Sequence, residues 1–415
     1  MKAVTASTLL MLSLLTFQVN AQLNLNGEIR PRTELRYGYK TLPIQGQEPA
    51  FLISQRVRFG AIYKKNNLET KLTLQNASIW GDEQNVIFYE AWVKYHLSAK
   101  WNLTIGRQEL QYDGGRLIAA RNRRQEGFYY DAIIAKYAHD SLYVDLSLSV
   151  NNNQENLFGN AFANPTSQFK NFSFAYAKKY FDNGLIANAM AINSGFQKEN
   201  SDTVYYKQTI GTEIIYSKNK FSVGGEAYYQ IGKHKDGRAV NAYLTAVNVG
   251  YEYSSKVKVT LTTEYTSGVD INNTDATYQS KMHNFDILEG ARFAYWGNAN
   301  IFRNLESHTK KGGLTAFYSS LILKPTKKSN IALTYYQFAL SNDVVDENNQ
   351  VIKRNLGGEL DLLARYKVYN HTTLSLGYSL MLPTNSWEFV QNIPQNTSAT
   401  GHYLWLMMTS KLQFL

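Results

Sequence analysis

The sequence predicts an all-β chain: a transmembrane antiparallel β-barrel of about 18 strands, with both termini periplasmic and long extracellular loops. Three observations predict it. Apolar and polar residues alternate nearly to the last residue. Every second connection is long: KKNN (64–67), SAK (98–100), AHD (138–140) and SKN (217–219) take turns with polar stretches such as 38–50, 111–126 and 268–311. Thirty Tyr and twenty Phe, with only seven Pro, suit amphipathic strands carrying aromatic belts.

Individual strands are legible. Leu142, Val144, Leu146, Leu148 and Val150 alternate with Tyr143, Asp145, Ser147, Ser149 and Asn151, and Val257, Val259, Leu261, Thr263 and Tyr265 alternate with Lys258, Thr260, Thr262, Glu264 and Thr266. A soluble sandwich would show the same alternation, so the asymmetric turns and the aromatics decide for a barrel. Tyr63, Tyr95, Trp101, Tyr216, Phe221 and Tyr366 sit beside short turns, where an interfacial girdle belongs. Strands are expected to start near 27, 51, 68, 86, 101, 127, 141, 169, 184, 204, 220, 240, 256, 312, 330, 356, 372 and 402. The alternation is blurred from Gly127 and from Gly184. An even count places both termini on the short-turn side. In the last strand Leu404, Leu406, Met408, Leu412 and Phe414 share a face, which suits the signal read by outer-membrane assembly machinery.

Residues 1–21 read as a signal peptide: Lys2 supplies charge, Leu9 to Val19 is apolar, and Val19-Asn20-Ala21 offers a cleavage site before a single barrel domain spanning 22–415. The absence of cysteine excludes a lipoprotein anchor, disulfides and thiolate chemistry. Beyond the leader no apolar stretch approaches the roughly 20 residues of a spanning helix. A mean hydropathy of -0.36 is likewise too polar for a helical membrane protein.

A barrel of this size leaves an aqueous interior, so the polar parities matter. Glu28, Arg30, Arg32, Glu34 and Arg36 share one strand face, and Arg56 and Arg58 share that of the next strand. Arginines two residues apart are about 7 Å apart and repel by roughly 0.6 kcal/mol in water, or about 2.4 at an effective dielectric of about 20. One account is a stabilising girdle in which Glu28, Glu34, Glu90, Glu359 and Asp361 offset them. The other is an anion pathway in which guanidinium groups take carboxylates bidentately. The cluster exceeds its nearest acids and points to the pathway. Replacing Arg30, Arg32, Arg56 and Arg58 together by Ser is then expected to lower anion selectivity without unfolding the barrel.

The third long loop adds Arg116, Arg121, Arg123 and Arg124 against Asp113 and Glu126, and becomes a positive constriction if it folds inward. All of the 43 Lys and Arg except Lys2 lie beyond the leader, against 33 acids. That surplus fits an anionic solute, and equally lipopolysaccharide phosphates outside.

The stretches GEIRPRTELRYGY, SQRVRFG, SIWGDEQ and above all EAWVKYHLSAKWNLTIGRQELQYDGGRL resemble the alginate export family of outer-membrane barrels, in its Bacteroidetes-type branch. FDILEGARFAYWG and NLGGELDLLARYK extend the likeness. The resemblance implies an 18-stranded barrel with an arginine-rich lumen that passes a polyuronate, a role carried onto Arg30, Arg32, Arg56, Arg58, Arg107 and Arg116.

Other chemistry finds little support. The seven histidines show no paired spacing for zinc. Asp82, Asp270, Asp275, Asp343 and Asp346 could bind calcium but form no DxDxDG loop. No Ser–His pair shares an apolar parity as a barrel phospholipase needs, no glycine-rich phosphate cradle is present, and nucleic-acid binding has no basis. No cofactor or enzymatic activity is expected. A TonB-dependent transporter, with 22 strands and a plug, would not fit. The competitors are a nonspecific porin, with both signs of charge at its constriction, and a structural barrel plugged by the 268–311 loop. Partners expected are membrane lipid, lipopolysaccharide, the assembly machinery and an anionic sugar; the sequence leaves the oligomeric state open.

Overall fold

A computed structural model describes residues 22–82, 85–152, 155, 157–159, 168–198 and 201–414. The expected leader, 1–21, lies outside the described residues. Eighteen strands run in chain order: β1 (Gln22–Tyr37), β2 (Ala50–Lys65), β3 (Leu68–Ile79), β4 (Ile87–His96), β5 (Trp101–Gln108), β6 (Tyr130–His139), β7 (Leu142–Val150), β8 (Asn171–Tyr180) and β9 (Leu185–Gln197). They continue as β10 (Val204–Lys218), β11 (Phe221–Lys233), β12 (Ala239–Ser254), β13 (Val257–Thr266), β14 (Leu314–Leu323), β15 (Ser329–Leu340), β16 (Asn355–Tyr369), β17 (Thr372–Pro383) and β18 (Gly401–Gln413). Each pairs antiparallel with its sequence neighbours, and β1 pairs with β18 as well as β2, closing the sheet into an 18-stranded barrel. Closure leaves no edge strand with unpaired backbone groups, which a bilayer would not tolerate.

The expected starts hold closely, with two larger departures. β1 begins at Gln22 rather than 27, because Leu23 and Leu25 continue its alternation and pair with Tyr63 and Ala61. β6 begins at Tyr130 rather than 127: Gly127 adopts φ 67° and lies against Tyr89 and Arg58, so it closes a loop instead of opening a strand.

Side-chain parity follows the sequence alternation. In β7 Leu146, Leu148 and Val150 point outward and Asp145, Ser147 and Ser149 are buried inside. In β18 Leu404, Leu406 and Met408 face out while Tyr403 and Trp405 face in. Near the short turns Tyr95, Trp101, Phe221 and Tyr366 are exposed on the outer face, and Trp101 packs on Tyr137 and Phe221 on Tyr251. β1 starts and β18 ends at this short-turn rim. No described helix is long and apolar enough to cross a membrane.

Two long connections turn back into the barrel. The β5–β6 loop (109–129) buries Leu117, Ile118, Ala119 and Ala120, and the β13–β14 loop (267–313) buries Phe285, Ile287, Trp296, Ile301 and Phe302. They meet through a parallel bridge of Ile118 with Glu289 and a bond from Ala291 N to Gly115 O of 2.8 Å. The longer loop packs Phe302 against Phe338 of β15 and against Trp387 of a short helix, Asn385–Val390. The apolar core of this barrel therefore lies inside it, where the infolded loops meet the inner faces of strands from β6 round to β17.

Candidate functional site

A loop folded into a barrel carries backbone N–H and C=O groups that have lost water, and each needs a partner. Inward-facing charges supply them. From β1, Arg30 donates to Asn122 O and Arg124 O at 2.7 Å each and to Gln125 Oε1 at 2.9 Å, and Arg32 donates to Arg123 O at 2.5 Å. From β2, Arg56 reaches Asn122 Oδ1 at 3.1 Å and pairs with Glu28. Arg58 bonds Gln75, lies over the Tyr89 ring and stands 3.8 Å from Glu109. Glu34, fully buried, holds Arg32, Arg36 and the Tyr403 hydroxyl. The arginines of β1 and β2 thus stand where the alternation puts them, but most of their donors are spent on the β5–β6 loop and on Glu28 and Glu34.

The expected acids divide. Glu28 and Glu34 pair with arginine, whereas Glu90 pairs with Lys71. Glu359 and Asp361, on β16, meet no cation within ion-pair distance among the described residues; they accept the backbone N–H of Ala299 (2.7 Å) and Asn298 (2.9 Å) and the Asn298 amide (2.8 Å). The contact requires Gly297, with φ 84°, since a Cβ there would stand 2.3 Å from the Glu359 carboxylate. Both acids are loop anchors sealed from the cavity rather than pore-lining groups.

Two arginines depart further from expectation. Arg107 lies on the outward parity of β5 with Ile105 and Leu103, in a fork on Asp131 (2.8 Å twice) and over Tyr129. The lumenal role implied by the family likeness therefore does not fall to Arg107, because the inward parity of β5 belongs to Thr104 and Gln108. Arg116 is buried between the β5–β6 loop and the wall, paired with Glu226 of β11 and, at 2.8 Å, with Glu264 of β13, and stacked on Tyr295. Burial pulls its guanidinium down, but Glu264 and Glu226 outweigh this and hold it above the ordinary range. A cation so compensated is a strut, not a solute site.

A cavity of about 550 Å³ stays open between β1–β3 and the two infolded loops, within the usual size range of small-molecule sites. Arg32, Arg36, Lys40, Arg121, Arg123, Arg124, Arg292 and Arg303 line it against Glu34, Asp82 and Glu126. Arg121 pairs with Glu289 at 2.6 Å, Arg123 donates to Asn298 O at 2.6 Å, and Arg124 stands exposed, 3.4 Å from Glu126. Sequence reasoning missed Lys40, Arg292 and Arg303, and also the pairing of the buried Lys207 with the part-exposed Asp286 (2.5 Å). Arg292 sits within FDILEGARFAYWG, a stretch singled out by likeness alone, with no parity to assign it a face. Among the described residues no group of three His, Asp or Glu is arranged to hold a metal.

The Alginate export family model matches residues 65–403. Among solved structures, OpdO of Pseudomonas aeruginosa aligns with a TM-score of 0.64 at 10% identity, covering 95% of this chain and 98% of that one. OccAB1 of Acinetobacter baumannii gives 0.63 at 10%, covering 96% and 100%, and OpdL of Pseudomonas aeruginosa gives 0.63 at 10%, covering 95% and 99%. At such identities the likeness is one of fold. No curated protein matches the sequence. Fold and family are both those of outer-membrane transport channels, and on the match from Lys65 to Tyr403 the chain belongs to the alginate export family.

Proposed function

We propose that this protein is a passive outer-membrane channel for anionic oligo- or polysaccharides of the polyuronate type, with the arginine-rich cavity as its selective stretch. The observation that carries this reading is the cavity's lining, eight Lys and Arg against three acids. A concave surface of one sign, walled by low-dielectric protein, concentrates counter-charged solute. Several moderate sites in series also suit passage, since one very tight site would trap the solute. In this reading the barrel stands in the outer membrane of a Gram-negative cell after insertion by the assembly machinery. Its short-turn rim and both termini face the periplasm, and its long loops face outward among lipopolysaccharide.

The reversal potential of the purified protein in planar bilayers under a salt gradient tests this, with short oligouronates then added to either side. Anion preference and transient block are expected. Replacing Lys40, Arg124 and Arg303, the exposed members of the cavity, by Ser should reduce the preference while leaving the buried anchors in place. Near-zero selectivity in the native protein would indicate a general porin. The apolar packing of the 267–313 loop against the wall favours a second reading, a plugged structural barrel, which an absence of conductance would support.

A further inference from the structure

Cavities of about 550, 250 and 630 Å³ lie among the loops at the long-loop end, and among the described residues Arg292 alone lines all three. It opens a 3-10 turn, Arg292–Ala294, in the part of the β13–β14 loop that packs on Gly115. Its surroundings are unusual for a half-buried guanidinium. The two nearby carboxylates are already taken, Asp286 by Lys207 at 2.5 Å and Glu289 by Arg121 at 2.6 Å, and Arg292 forms no ion pair among the described residues. Nη2 donates to Leu288 O at 2.9 Å, while Nε is enclosed without a partner. Burial, and then the neighbouring Arg121, pull it below the ordinary arginine range.

Arg116 shows the contrast. It is the more deeply buried, but two carboxylates and an aromatic face compensate it. A partly buried cation that must share its nearest carboxylates, Asp286 and Glu289, with Lys207 and Arg121 is under-compensated, and an anion arriving beside it recovers more free energy than one arriving beside a cation already paired. Arg124, exposed and close to Glu126, offers an incoming anion much less.

We infer that Arg292 is the principal docking residue for a single carboxylate of the solute, taken end-on by Nη1 and Nη2 at the confluence of the three cavities. This rests on the acidic-sugar reading above and sharpens it: the eight cavity cations are not equivalent, and one of them sets the residence time. The remaining cations set the field through which the solute arrives.

The experiment compares Arg292→Gln and Arg292→Lys with Arg124→Gln and Arg124→Lys in single-channel recordings, using a short oligogalacturonate as the blocking probe. Dwell time of the block and reversal potential are read separately. Both Arg292 variants should shorten the dwell by at least about tenfold, the size of one charge-assisted hydrogen bond. The lysine variant is included because an ammonium keeps the charge but cannot form the fork. Neither Arg124 variant should shorten the dwell by more than about twofold, as for an exposed pair. Dwell restored to the native value in Arg292→Lys would reduce the residue to one more charge in the field and overturn the inference, as would unchanged dwell in both Arg292 variants or no block of the native protein. A native channel with no anion preference would instead bring down the acidic-sugar reading itself.

Discussion

The two walls of the barrel hold the same kind of object, an infolded loop, with opposite chemistry. On β1 and β2 the wall presents guanidinium groups, and the β5–β6 loop offers them carbonyls: Arg30 and Arg32 take the oxygens of Asn122, Arg123 and Arg124. On β11, β13 and β16 the wall presents carboxylates. Glu226 and Glu264 take Arg116, Glu264 also takes the Trp296 Nε1–H at 2.5 Å, and Glu359 and Asp361 take backbone N–H groups. The difference lies in what remains. The carboxylate wall is fully covered by loop and apolar packing, whereas the guanidinium wall borders the open cavity. Inward charge in this barrel is first a means of satisfying buried loop backbone, and only its surplus is available to a solute.

Removing Arg116 should break that comparison most severely. Arg116→Ala leaves Glu226 and Glu264 facing each other in a buried site without a counter-charge, and removing one partner of a buried pair costs about 3–5 kcal/mol. Trypsin applied to the folded barrel reads the outcome, since Arg121, Arg123 and Arg124 supply cleavage sites within the β5–β6 loop. The native loop should resist and the variant should be cut while the strands remain intact. A variant as resistant as the native protein would mean that the loop is held from the arginine wall alone.

The converse change, Arg30→Ser with Arg32→Ser, should have a smaller effect. Each charge-assisted bond is worth about 1.5–3 kcal/mol, but the freed carbonyls adjoin the cavity, where water replaces part of the loss. Cleavage after Arg124 is expected to rise, with the segment around Gly115 still held by Ala291 and Arg116. Equal cutting at all three arginines would show that the two walls do not act separately. The same result bears on the four-arginine Ser variant suggested by the sequence alone: it would lower anion selectivity, but by moving the loop as well as by removing charge.

How far the sequence could be read depended on periodicity. Strand positions, the outward face and the inward placement of Arg30, Arg32, Arg56 and Arg58 all follow from a period of two, which the bilayer enforces over the whole wall. Arg107 obeys the same rule against the expectation from likeness, since Thr104 and Gln108 face in on its strand and Arg107 therefore faces out. Loops have no such period. Nothing in the pattern of 267–313 announces that Asn298 and Ala299 donate to β16, or that Arg292 lies between two acids already taken. Gly297 was the one available signal, a residue whose missing Cβ is needed for the approach of Glu359, and glycine is too common in loops to single it out.

The smallest effect concerns pH and the contact of Lys207 with Asp286. Burial raises the Asp286 carboxyl, but Lys207, Arg292, the Lys207 hydrogen bond and the Leu288 N–H outweigh it, so the group is held well below the usual carboxylate range. A carboxylate depressed on docking contributes stability that is fully present above its ordinary pKa, near 4, and is lost only as pH falls through the depressed value. Docking of the loop at this point should therefore be constant from about pH 8 to about pH 4 and weaken only in stronger acid. The chain has no cysteine, so Ile287→Cys, a buried position, can be labelled with a thiol reagent and its rate divided by that of an exposed Ser280→Cys control, which removes the thiol's own pH dependence. The ratio is expected to stay low and flat over that range. In Asp286→Asn it should rise at every pH, because the Lys207 ammonium is left buried without its counter-charge, and it should lose the acid-induced step. A native ratio that climbs between pH 6 and pH 4 would show that some other carboxylate governs the loop, and the Lys207–Asp286 pair would then be a consequence of docking rather than a cause.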